Sequence, residues 1–85
     1  MNVIYYFTAD WCQPCKKVRP IVNELNHDQT EASFQIIDID DNHDLVKRFE
    51  IKAVPTFIFF EDGVEKRRTA GAKTREQLED FIYGR

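Results

Sequence analysis

An α/β fold with a four-stranded mixed sheet flanked by three helices, in the order β-α-β-α-β-β-α, is the architecture these 85 residues predict. Three observations predict it. The run Val3-Ile4-Tyr5-Tyr6-Phe7 is β-branched or aromatic at every position, as in a strand covered on both faces. Cys15, Val18, Val22 and Leu25 then recur at helical spacing of three and four, with Ile21 beside them. A second strand-like run follows that helix, so a parallel, right-handed crossover joins the two strands.

Each element has its own signal. The first strand spans Val3 to Phe7, and the first helix begins around Gln13 or Pro14, with Pro20 expected to kink it. Phe34 to Ile39 reads as the second strand. Asp40, Asp41 and Asn42 offer capping side chains to a short helix carrying Leu45, Val46 and Phe49 and ending near Glu50. Thr56 to Phe60 is a third strand, and Asp62-Gly63 is a tight-turn signal leading to a fourth around Glu65 to Thr69, paired with it as a hairpin. Gly71 marks a bend. Thr74 and Gln77 form a capping box for the last helix, whose inward face is Leu78, Phe81 and Ile82.

Length and composition narrow the function. Residues 1–85 are expected to form one domain with a modest core. A formal net charge of −3 with 32% charged residues gives no basic stripe of the kind nucleic acid requires. The short clusters Lys16-Lys17 and Lys66-Arg67-Arg68 read as solvated faces. The apolar run at the N-terminus has no charged region before it and is too short for a signal peptide or a membrane span. With no export signal in view, the chain is expected in the cytoplasm, where a reducing solvent keeps thiols cycling rather than locked as a structural disulfide.

The chemistry lies in Trp11-Cys12-Gln13-Pro14-Cys15-Lys16, which holds both cysteines of the chain. Only the thiolate attacks a disulfide, so a redox cysteine needs surroundings that favour the anion. At the start of a helix, Cys12 meets unpaired amide N–H groups and the positive end of the helix dipole. Pro14 suits the first turn because its missing N–H needs no partner there. Cys15 lies one turn further in, facing back toward Cys12 and closer to the interior. Cys12 is therefore expected to attack and Cys15 to resolve, in dithiol-disulfide exchange. Lys16 and Lys17 add positive charge in support.

Four matches in order make the chain resemble the thioredoxin family: Phe7 then Ala9 before the motif, the motif itself, Val54-Pro55-Thr56 before the third strand, and Gly71 before the last helix. The resemblance covers nearly the whole chain and implies a protein-disulfide reductase with a thioredoxin-like fold. It implies a cis bond before Pro55, which would pack beside the sulfurs and leave the Val54 backbone free to pair with an extended substrate segment. Trp11, Val54, Pro55 and Gly71 would line a shallow apolar groove around Cys12. Disulfide-containing proteins are the implied substrates, an NADPH-dependent thioredoxin reductase the implied electron donor, and ribonucleotide reductase one recipient. No cofactor, metal, nucleic acid or membrane is implied, and the chain is expected to be a monomer.

Three departures stand out. The chain begins at the strand preceding the motif, without the additional N-terminal strand and helix of longer thioredoxins. Gln13 replaces the glycine usual after the first cysteine, which bears on partner preference and reduction potential. Family members commonly carry a buried aspartate six residues before that cysteine and a lysine on the neighbouring strand, where this chain has Tyr6 and Ile36. A phenol keeps its proton at neutral pH and is no ready base. Cys15 is then expected to lose its proton to water or to the departing thiolate, and the core to gain from the apolar replacement.

Other readings of the same residues fit them less well. A structural disulfide closing so short a loop would add little stability. A tetrahedral zinc site would need His27 and His43, both expected at the surface. The chain's size suits a glutaredoxin-like activity or a small redoxin serving ribonucleotide reductase. Against the former, Gly71-Ala72-Lys73-Thr74 lacks the second glycine and following acidic residue of glutaredoxins. A non-redox binding or assembly module with this fold is the alternative from another class, separated by a Cys12→Ser, Cys15→Ser variant.

Overall fold

The computed structural model describes residues 1–85. Strand β1 (Asn2–Thr8) is followed by α1 (Gln13–Asp28), β2 (Ser33–Asp38), α2 (His43–Arg48), β3 (Thr56–Glu61), β4 (Val64–Ala70) and α3 (Arg75–Tyr83). The expected element order is the one observed. The sheet runs β2-β1-β3-β4, with β2 parallel to β1 and the other pairings antiparallel. The apolar β1 is thus central, as a strand buried on both faces must be.

The two faces carry separate cores. Ile4, Tyr6, Phe57 and Phe59 pack on one face against Val18, Val22 and Leu25 of α1 and Leu78 and Ile82 of α3. Phe7, Ile37 and Ile58 face the other way, under Leu45, Phe49, Ile51 and Val54. The helices therefore cover both sides, α1 and α3 together and α2 opposite. At the hairpin, Asp62 and Gly63 both have positive φ, 51° and 84°. That pair of left-handed residues matches the twist of the flanking strands.

One local expectation, the side-chain capping of α2, is corrected, and the other helices add detail. Helix α1 continues past Pro20 to Asp28, and what Pro20 withholds is the amide that the Lys16 carbonyl would accept. At α2, the N-cap Asn42 makes no side-chain capping bond; its Nδ2 donates instead to the Asp38 carbonyl at 2.9 Å. This helix stops at Arg48 because Phe49 leaves helical geometry and Glu50 turns to φ 54°. The capping box of α3 forms as expected from Thr74 and Gln77. His27 and His43 are exposed.

The cluster Lys66-Arg67-Arg68 is not simply solvated. The Arg67 guanidinium lies over the Phe59 ring, 3.9 Å from its centroid, and donates from Nε to the Phe81 carbonyl at 2.7 Å and from Nη2 to the Ile82 carbonyl at 3.0 Å. It thus satisfies carbonyls in the last turn of α3 that have no amide ahead of them. Arg68 donates to Glu65 from Nε and Nη2 and to the Phe49 carbonyl from Nη1, tying β4 to the end of α2.

Candidate active site

The site forms where β1 ends and α1 begins. The tight connection from Ala9 closes with the Cys12 amide donating to the Ala9 carbonyl at 3.2 Å, which places Cys12 at the N-cap of α1 in extended backbone conformation. Its Sγ takes the role that serine or aspartate oxygen plays at other helix starts, accepting from the Cys15 amide at 3.2 Å. Pro14 sits in the first turn, and Gln13, Pro14 and Lys16 are exposed around it.

The two sulfurs are joined as a disulfide with 5.3 Å between the Cα atoms. Both cysteines are largely covered, and the remaining exposure is unequal: 5% for Cys12 against 1% for Cys15. Ala9, Ile39 and Val54 pack around them. Cys12 is thus the more exposed member of the pair, and Cys15 lies in the buried stripe of α1.

The loop before β3 supplies the opposite wall. The Val54–Pro55 bond is cis, Pro55 is fully buried, and the Val54 carbonyl oxygen stands 3.7 Å from Cys12 Sγ. Gly71 lies behind this wall, with φ 93° and its amide donating to the Pro55 carbonyl at 2.8 Å. Trp11 is 64% exposed beside Cys12 and lines an apolar cleft with Ile39, Ile51, Ala53 and Val54. Of the four expected groove residues, the structure thus brings Trp11 and Val54 into one cleft. Pro55 and Gly71 form the support beneath and behind it.

Two contributions were missed in the sequence. Asp40 fixes the tryptophan, accepting from Trp11 Nε1 at 3.1 Å. Nothing local marks that contact, since the residues lie 29 apart in the chain. Tyr6 is fully buried beneath α1, stacked on Phe57 with ring centroids 5.0 Å apart, and its hydroxyl donates to the Cys15 carbonyl at 3.0 Å. The phenol's polar end is thereby satisfied, as burial demands. Ile36 pairs with Tyr6 in register but is 43% exposed at the sheet edge, so only Tyr6 of the two replacements fills the core.

Known proteins share this arrangement. The thioredoxin family model matches residues 1–84. The chain is 32% identical over 81 residues to a thioredoxin of Mycoplasmoides gallisepticum, covering 95% of this chain and 81% of that one. Against human thioredoxin it is 36% identical over 80 residues, 94% of this chain and 75% of the other. Among solved structures, thioredoxin of Fasciola hepatica superposes with a TM-score of 0.91 at 32% identity, over 98% of this chain and 79% of that one. A thioredoxin from Nicotiana alata also gives 0.91, at 35% identity, over 98% of this chain and 71% of that one. Two cysteines paired at a helix start, a cis-proline wall beside them and likeness along nearly the full chain agree that it belongs to the thioredoxin family, as a thiol-disulfide oxidoreductase acting on protein disulfides.

Proposed function

We propose that Cys12 is the attacking thiol and Cys15 the resolving thiol of a cytoplasmic protein-disulfide reductase. The observation that supports this most directly is the Cys15 amide donating to Cys12 Sγ, because a donor fixed on one sulfur favours its anion over its thiol. The Cys12 thiolate attacks one sulfur of a substrate disulfide, and the other sulfur leaves as a thiolate. Cys15 then gives up its proton and attacks Cys12 Sγ, forming the disulfide seen here and releasing the second substrate thiol. Two electrons have passed to the substrate.

In this reading the cleft of Trp11 and Val54 receives an apolar residue beside the substrate cysteine, while the Val54 backbone pairs with the extended segment. Pro55 and Gly71 hold that backbone in place, and Gln13, Pro14 and Lys16 form the exposed rim that a partner meets. An NADPH-dependent thioredoxin reductase would return the pair to the dithiol, and ribonucleotide reductase is one recipient of its electrons. The chain acts as one domain and as a monomer. No helix is long and apolar enough to cross a membrane.

The equilibrium reduction potential of the Cys12/Cys15 pair tests this reading, measured in defined thiol-disulfide buffers with a double-serine control. A value near about −270 mV is expected for a cytoplasmic reductant. One near about −180 mV or above would assign an oxidant or isomerase instead.

A further inference from the structure

Beside the start of α1 lies an open cleft of about 470 Å³ whose walls include Thr8, Asp10, Cys15, Lys16, Arg19 and Pro20. It reaches the cysteine that the exchange must deprotonate. Asp10 is the only carboxylate on it. Thr8, 4% exposed, lines the same space from the end of β1. A hydroxyl, a carboxylate and two cations around one opening make a setting that holds water.

The interior offers Cys15 no alternative base. Tyr6 occupies the position under Cys15, and its hydroxyl is committed as a donor to the Cys15 carbonyl. The other charged groups lining the cleft, Lys16 and Arg19 on α1, carry no acceptor. Across the loop, Asp40 is bonded to Trp11, and Lys52 on the substrate cleft is a donor only.

We propose that Cys15 releases its proton through water in this cleft to the Asp10 carboxylate, which makes Asp10 the proton acceptor of the resolving step. The inference rests on the assignment of Cys12 and Cys15 above. The proton of Cys15 passes to cleft water while a proton of that water passes to Asp10. The electron pair left on Cys15 Sγ forms the bond to Cys12 Sγ, and the bond between Cys12 and the substrate sulfur breaks. The substrate sulfur departs with the electron pair of the broken bond, so the protein dithiol is oxidised and the substrate disulfide reduced. Asp10 returns its proton to solvent, to which it is exposed.

The test uses the reduced protein and one equivalent of the neutral disulfide 4,4′-dithiodipyridine, followed by stopped flow as a function of pH. The first thiopyridone released reports attack by Cys12, and the second reports resolution by Cys15. Asp10→Asn is expected to leave the first phase in place and to slow the second by about tenfold at neutral pH, less than the ~10²–10⁴ a directly placed base supplies because a water intervenes. The gap should close at alkaline pH, where hydroxide removes the proton, and Asp10→Glu and the surface control Asp44→Asn should behave as the parent chain. If Asp10 acted only by its charge, its removal would instead speed the second phase at neutral pH, where a nearby carboxylate disfavours the Cys15 thiolate. That result, or an unchanged pH profile, overturns the proposal. A second phase that persists in Cys15→Ser overturns the assignment of the two thiols, which is a different failure.

Discussion

Tyr6 stands where longer thioredoxins place one member of an ionisable pair, and the structure shows what this chain does with the position. The ring fills the space between Phe57 and α1, and the hydroxyl reinforces the turn carrying Cys15. Tyr6→Phe keeps the ring and removes one buried hydrogen bond, so it should lower stability by about 1 kcal/mol in urea unfolding and leave turnover of a protein disulfide close to the parent rate. Tyr6→Asp empties most of the ring volume and buries a carboxylate, so a loss of about 3 kcal/mol or more is expected in the same measurement. The sequence revealed that an aspartate was missing here, because that needs only a count back from Cys12. It did not reveal that the phenol bonds the Cys15 carbonyl or that Ile36 lies half in solvent. Both depend on how far α1 extends over the sheet, which no local pattern records.

At the scale of elements, the strands and helices with strong periodicity were legible and their ends were not. The stripe Cys15, Val18, Val22 and Leu25 is buried as its spacing requires. Helix α2 has no buried residue and fewer than two turns of sequence, and both of its ends are tied to other elements, Asn42 to Asp38 and Phe49 to Arg68 of β4. Helix α3 shows the same division. Thr74 and Gln77 announce its start in the sequence, whereas its far end is held by Arg67 from β4, 14 and 15 residues away. Arg67→Met should therefore cost about 2 kcal/mol in urea unfolding, since two charge-assisted bonds to the helix end are lost while much of the stem's packing remains. Arg67→Lys should recover less than half of that. An ammonium cannot span both carbonyls while lying flat on Phe59.

The whole molecule adds an acid limit. Asp28 is held below the ordinary carboxyl range by hydrogen bonds from His27 and Arg75, Asp62 by the N-terminal ammonium of Met1, and Glu65 by Arg68. A carboxyl that ionises more readily in the folded chain stabilises it above the unfolded value of about 4, and that contribution disappears as pH falls through the folded one. The Met1 amino group is shifted upward by Asp62, so its contribution is present below about pH 8 and is lost as pH rises further. The urea midpoint should thus be flat near neutrality, fall below about pH 4 and decline slightly above about pH 8. These groups are exposed, so both slopes should shrink at about 1 M salt. The same pairing of Met1 with Asp62, and of Asn2 with Glu61, joins the first strand to the hairpin turn.

That join has a consequence for synthesis on the ribosome. Strand β1 is made before β2 and β3, yet it lies between them in the sheet. As the nascent chain emerges, β1, α1 and β2 can assemble early. One long edge of β1 then stays open until Thr56–Glu61 has been translated. At about 5–20 residues per second, the roughly 50 residues separating β1 from β3 amount to several seconds of exposure of Ile4, Tyr6 and Phe7. Those seconds are the period in which a chaperone, or an unwanted neighbour, has access to a strand of which the finished protein leaves no residue exposed.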